Sequence, residues 1–191
     1  MVIVFGPKDE KPKDMIVVNT TSGSTNWSRQ LSPFLLGPVN LYGDLVAWNV
    51  ENAWQYAKLY PSMSKDGRPT ELYWKWATHG WDRRWADRYP MGKNAKPLGH
   101  WWDEDLLDYE RARREIYIPL YSSAVRNTEV FKQLKELYEK EKTIALFDYD
   151  GYIPVIRMGM TSAEIYEQVI KDTKKKMGHA FVLGMMLEGL L

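Results

Sequence analysis

Two short apolar runs open the chain. Met1 to Phe5 and Met15 to Val18 are rich in Val, Ile and Phe and predict strands, with the charged stretch Pro7 to Asp14 as the turn between them. Asn19 to Ser28 has no apolar period and is rich in Thr, Ser, Asn and Gly, so it reads as a loop, either a flexible connector or a cradle for phosphate or ribose. Leu31 to Leu41 leads through a Gly43-Asp44 turn into a helix over 49–59, with Asn49 as its N-cap and Pro61 as its stop. Pro69 to about Arg88 predicts a second helix, because Pro followed by Thr-Glu marks an N-terminus. Asp103 to Tyr121 predicts a third, broken near Pro119. Over Thr128 to Glu141, the residues Val130, Phe131, Leu134, Leu137 and Tyr138 recur at helical spacing, and the charges opposite them form a solvated face. Thr143 to Asp148 has strand character and ends in the turn Asp148-Tyr149-Asp150-Gly151. Ser162 to Lys174 reads as an amphipathic helix capped by Ser162. Gly178 to Leu191 is apolar all round, with Glu188 its one charge, and predicts a buried C-terminal helix. No repeat and no linker divides this pattern. The expected fold is a single helix-rich α+β domain over 1–191 with a few short strands, residues 1–28 supplying the N-terminal strands and the polar loop.

Composition narrows the chemistry. A formal net charge of +1 gives no global field that draws in nucleic acid. The absence of cysteine excludes disulfides, thiolate metal sites and cysteine nucleophiles. No run of about 18 apolar residues predicts a membrane span. Lys8, Asp9, Glu10 and Lys11 follow the apolar start too soon for a signal peptide, so the expected location is cytoplasmic. His79, His100 and His179 are far apart and form no two-histidine helix pair. Asp148 and Asp150 lack the remaining acidic positions of a calcium loop. Their Asp-x-Asp spacing behind a strand is also that of an aspartyl phosphatase, without the rest of that machinery, and local turn hydrogen bonds account for it. No metal and no cofactor is expected.

Aromatic content does change the picture. The chain holds nine Trp and twelve Tyr. Six of the Trp lie between Trp74 and Trp102, interleaved with Arg83, Arg84 and Arg88. Indole and guanidinium planes together suit nucleotides, although core packing explains any single Trp.

The helix over 49–59 carries the strongest local signal. At about 100° per residue, Glu51, Trp54, Gln55 and Lys58 share one face at i, i+3, i+4 and i+7. An acid, an amide, an amine and an indole on one face line a polar pocket if that face points inward. The opposite face offers Val50, Ala53 and Ala57, small enough for close packing, so periodicity alone does not choose the buried side.

The string Glu51-Asn52-Ala53-Trp54-Gln55-Tyr56-Ala57-Lys58 resembles the Glu-His-x-aromatic-Gln-x-x-Lys signature of the NADAR family, the YbiA-like group. Upstream, Leu31-Ser32-Pro33-Phe34 is similar to its aromatic/Leu-Ser-Asn-Phe segment. Downstream, Ala86 to Gly92-Lys93 is similar to its Ala…Gly-Arg element. The run Gly178-His179-Ala180-Phe181-Val182-Leu183-Gly184-Met185-Met186-Leu187 resembles its Gly-x-Asn-x-Leu-Gly-x-x-Leu-Met ending. The order of the four elements matches. Asn52 stands where the family has His, Pro33 where it has Asn, and His179, Ala180 and Phe181 surround the place of its C-terminal Asn.

The resemblance implies a YbiA-like fold and a pocket for an ADP-ribose-like or ribosyl-phosphate ligand whose N-glycosidic bond is hydrolysed, as in ADP-ribosylated guanine or an early riboflavin intermediate. Nucleic acid enters only as the carrier of such a modified base. Glu51 and Lys58 are then the catalytic candidates. A carboxylate stabilises the oxocarbenium charge that builds on the sugar, or activates water. A lysine of lowered pKa can attack C1′ and form a Schiff base. Trp54 and Gln55 are placed to stack on the ligand and hold its hydroxyls. Ser32, Phe34, Trp48, Gly92, Lys93 and His179 complete the candidate binding set, with Arg83, Arg84 and Arg88 for phosphates. Two other readings stand beside this one: a nucleotide-binding sensor or sponge without turnover, and an interaction protein whose aromatic cluster is an interface.

Overall fold

The N-terminal apolar runs do become strands, but each pairs with a strand from far down the chain rather than with the other. The computed structural model describes residues 1–191. Strands β1 (Val2–Phe5) and β2 (Ile16–Asn19) are followed by a 3-10 turn at Trp27–Leu31 and by the short strands β3 (Val39–Asn40) and β4 (Val46–Ala47). Helix α1 (Val50–Tyr56) leads directly into β5 (Lys58–Leu59). The hairpin β6 (Ser64–Lys65) and β7 (Arg68–Pro69) precedes α2 (Glu71–Trp81). Strands β8 (Gly99–Trp102) and β9 (Asp105–Leu107) come next. Then α3 (Tyr109–Ala112), a π-helical stretch Arg113–Tyr117 and α4 (Ile118–Arg126) run on as one helix. Helix α5 (Glu129–Glu141), β10 (Ile144–Phe147), α6 (Ser162–Lys171) and α7 (His179–Leu187) complete the α+β chain. No helix is long and apolar enough to cross a membrane.

The chain forms two compact units, residues 1–32 with 121–191, and residues 33–120. The division falls within α4, where no change of composition marks it.

In the first unit β10 lies between β1 and β2, all parallel, with Ile144 opposite both Val2 and Ile16. A central parallel strand is covered on both faces, which is why Ile144, Ala145 and Leu146 are fully buried and unbroken by polar residues. The outer edge of β1 is closed by side chains: the Val2 N–H donates to the Glu188 carboxylate at 2.6 Å, and the Gly6 N–H to Asp9 at 2.8 Å. Helix α7 is buried from His179 to Met186, as its all-round apolar character predicts, and the exposed residues begin at Gly189. Helix α5 starts at its Thr128 cap, as expected. Helix α6 starts one residue earlier than expected: Thr161 caps it, and Glu164 reaches back to complete a capping box. The polar loop over 19–28 is held by its own side chains. Asn19 Oδ1 accepts from both the N–H and the hydroxyl of Thr21, and Ser28 Oγ donates to the Asn19 carbonyl. The hydroxyls of Thr21, Ser24 and Ser28 serve turns within the loop, and the Thr20 hydroxyl donates to the Phe147 carbonyl at 2.9 Å.

The second unit departs more from the sequence pattern. Helix α1 ends at Tyr56 rather than near 59, because Lys58 and Leu59 pair with β8 and the Trp101 N–H takes the Ala57 carbonyl. Helix α2 ends at Trp81 rather than near Arg88. Asp103 to Leu107 is not helical: β8 and β9 pair across a turn at Asp103 and Glu104, whose φ values are +45° and +69°. Such a turn normally advertises itself with Asn or Gly, and two acids in the left-handed region give no such signal. Pro119 does not break the helix that follows. It sits just after the π-helical stretch, which absorbs it without an interruption.

Helices α1 and α2 pack through Gly80, where a Cβ would fall on the Tyr56 ring. Gly80→Ala therefore forces the helices apart. Overpacking costs about 1–3 kcal/mol, against which alanine's better helix propensity returns at most about 1 kcal/mol. Denaturant unfolding should show a net loss of stability.

Candidate functional site

Asn49 caps α1 by accepting the Asn52 N–H at 2.8 Å, and Glu51 sits in the first turn, where a carboxylate is favoured. Glu51 and Gln55 are buried, while Trp54 and Lys58 are half-buried. Lys58 Nζ donates to Gln55 Oε1 at 2.6 Å, and Gln55 Nε2 donates to Glu51 Oε1 at 2.8 Å. The result is a chain of amine, amide and carboxylate. The sequence places these groups on one face, and they do meet, but Lys58 reaches Gln55 from strand β5 rather than from the helix. The Gln55 amide bridges the amine and the carboxylate.

An aromatic layer lies beside this chain. The His100 ring stacks on Trp54 with centroids 4.1 Å apart, and Tyr109 lies nearly parallel to it at 6.2 Å. Tyr117 packs against Trp54 at 5.1 Å. Two cations face the layer, Lys58 at 5.9 Å from the Trp54 ring and Arg113 at 4.3 Å from the Tyr109 ring. His100 is 2% exposed and stands opposite Lys58 in the β5–β8 register. Burial, then the nearby Lys58 charge, push its pKa well below the usual histidine value, so it is neutral at neutral pH. Neither of its ring nitrogens has a hydrogen-bond partner. Sequence spacing does not bring His100, Tyr109 and Tyr117 to the Glu51 helix; the fold does. The available signal was the aromatic run Gly99-His100-Trp101-Trp102, which reads as a strand once the adjoining turn is recognised.

Asn52, in the position where the resemblance expects His, is fully buried and acts as a clamp. Its Nδ2 donates to the carbonyls of Arg83 and Trp85, and its Oδ1 accepts the Asp87 N–H. Asn49 adds a bond to the Arg84 carbonyl at 3.3 Å. The loop after α2 is thus tied down by α1 side chains, which is what ends α2 at Trp81. The loop's arginines are partly engaged. Arg83 pairs with Asp87 at 3.0 Å, and Asp87 also accepts the Tyr56 hydroxyl at 2.6 Å. Burial, then the Asp87 carboxylate, push that tyrosine up to about 12. Arg84 lies over the Trp48 ring at 4.9 Å, and Arg88 over Tyr89 at 5.4 Å. Trp48 and Lys93 are exposed, Phe34 is half-buried, and Gly92 sits in a turn at φ +93°.

Ser32 and His179 belong to the first unit. Ser32 is buried and its N–H closes the 3-10 turn onto Arg29. His179 is buried with Asp148: its Nδ1 lies 2.9 Å from Asp148 Oδ2, and its Nε2 lies 2.8 Å from the Thr20 carbonyl. Both nitrogens face acceptors, so the ring carries both protons and the pair is a buried imidazolium–carboxylate. Asp148 also accepts the N–H groups of Ala180, in the first turn of α7, and Asp150. Burial alone pushes the Asp148 carboxyl up. The charge and hydrogen bond of His179 and the two backbone donors outweigh it and hold it at about 2. The Asp148–Asp150 turn is therefore more than a local turn: it fastens the start of α7.

A buried carboxylate linked through an amide to a lysine, beside a cluster of aromatic rings, is the second unit's candidate site. The model of a family of unknown function, DUF6939, matches residues 8–157, and the chain belongs to that family. The match takes in the whole of the second unit and the Asp148 turn, and ends before α7. Neither the curated proteins nor the solved structures contain a match.

Proposed function

We propose that the protein is an N-glycosidase-type hydrolase of the NADAR kind, cleaving a ribosyl N-glycosidic bond in an ADP-ribose- or nucleotide-like substrate. The observation that carries this reading is the hydrogen-bonded chain Lys58–Gln55–Glu51 with its carboxylate buried. In the hydrolysis, a water oxygen bonds to C1′ as the N–C1′ bond breaks. The bonding pair leaves with the base, one water proton is released and a proton is taken up at the leaving nitrogen. Glu51 stabilises the positive charge on the sugar, more strongly in a dry site than in water, or takes the water proton. Lys58, which donates to Gln55, offers a proton donor near the leaving group or, as a free amine, a nucleophile at C1′.

The test is release of free base or ADP-ribose by substoichiometric protein from NAD, ADP-ribosylated guanine and ribosylaminopyrimidine phosphates. Glu51→Gln should slow turnover by about 10²–10³-fold, the usual loss for one electrostatic contact to a transition state. Lys58→Arg should abolish it if the amine attacks C1′, and borohydride should then trap an adduct on Lys58 in the wild-type protein. Full activity in both variants would remove the assignment. Stoichiometric binding, with the ligand returned intact, would replace the hydrolase by a sensor or sponge.

A further inference from the structure

We propose that His100 is a ligand-binding residue of this same site, its imidazole retained for a polar group of the ligand at the expense of fold stability. The inference rests on the reading of the Glu51–Gln55–Lys58 chain as the ligand site. A position stacked on the Trp54 ring at 4.1 Å, with Tyr109 nearly parallel at 6.2 Å, calls for an apolar aromatic side chain. Phenylalanine would fill it with no polar atom to satisfy. Histidine instead brings two ring nitrogens into the protein, and neither meets a hydrogen-bond partner. Buried polar atoms in native structures are nearly always paired, so two unpaired atoms on one ring need a reason outside the fold.

The surroundings say what such a ring offers. Lys58 on β5 stands opposite it, and Arg113 lies over the Tyr109 ring. On α1 the Glu51 carboxylate is engaged by Gln55. Burial, then the Lys58 charge, disfavour the imidazolium, so the imidazole is neutral and presents one N–H donor and one acceptor nitrogen. That pair matches a group with both capacities, such as a sugar hydroxyl or the amide edge of a base. Trp54, stacked on one face of the His100 ring, is half-exposed, so the layer itself reaches solvent.

The experiment compares wild type, His100→Phe and His100→Asn by thermal unfolding without ligand and by calorimetric titration with ADP-ribose and NAD. His100→Phe keeps the stack and removes the unpaired atoms. It should raise the unfolding midpoint by roughly 2–4 °C and weaken ADP-ribose binding at least tenfold. His100→Asn keeps a donor and an acceptor but loses the stack. It should lower the midpoint yet bind ADP-ribose more tightly than His100→Phe. Stability and affinity thus rank the two variants in opposite orders, which a purely structural histidine would not produce. A lowered midpoint for His100→Phe, or unchanged ADP-ribose affinity, overturns the inference. If wild-type protein binds neither ADP-ribose nor NAD, the site takes another ligand, the hydrolase proposal is judged by its own turnover test, and the unfolding comparison decides alone here. A raised midpoint for His100→Phe then still supports an imidazole kept against stability, and a lowered one overturns it.

Discussion

Asp148→Ala should lower the unfolding free energy by about 3–5 kcal/mol, because it leaves the buried His179 imidazolium without its carboxylate. The same change strips the acceptor from the Ala180 and Asp150 N–H groups, so the start of α7 loosens together with the pair. Asp148→Asn keeps the shape and one acceptor and should cost less. Chemical denaturation at neutral pH measures both. The pH dependence has a definite sign. The folded carboxyl, at about 2, lies below its unfolded value of 3.8, so the unfolded chain binds the proton first. The stabilisation is fully present above about pH 4 and is lost as pH falls from there through about 2, on the order of 2 kcal/mol. The unfolding midpoint of wild type should fall more steeply than that of Asp148→Asn across this window. Equal slopes would mean that the pair is not ionised as described. Gly178 offers a structural check, since a Cβ there would fall on the Asp148 carboxylate.

Asn52→Ala should cost about 3 kcal/mol and free the loop after α2. Three backbone groups, the carbonyls of Arg83 and Trp85 and the Asp87 N–H, lose their partner at once. Hydrogen exchange at the Asp87 amide should accelerate well beyond any change elsewhere in the second unit. Asn52→His, the residue the resemblance expects at this position, should fall between the two. A neutral imidazole has one donor and one acceptor, whereas the side-chain amide here uses two donor hydrogens and an acceptor. If Asn52→Ala leaves the Asp87 amide as protected as in wild type, the clamp is not what holds this loop.

Much of the first unit was legible. The runs at Met1–Phe5, Met15–Val18 and Thr143–Asp148 are apolar because their strands share one parallel sheet, whose central strand is covered on both faces. The period of Thr128–Glu141 and the unbroken apolar run after Gly178 follow from one-sided and all-round burial. These are local patterns with one structural solution each. The second unit was less legible. Lys58 has helical spacing from Glu51, yet pairing with β8, supplied by residues more than forty positions away, draws it into a strand. The Asp103-Glu104 turn carries no glycine or asparagine signal, so the sequence there has the look of a helix start.

By itself the sequence determined the α+β class, the Asn49 cap, the buried α7, and the grouping of Glu51 and Gln55 on one helix face. Each depends on spacing or residue type within about one or two helical turns, where backbone geometry leaves little choice. Tertiary structure alone decided that β10 joins β1 to β2, that Asn52 is a clamp on the loop after α2, that His100 completes the layer on Trp54, and that Asp148 and His179 form an ion pair. Those contacts join residues tens of positions apart. Their energies come from burial and mutual satisfaction of polar groups, which no local period records.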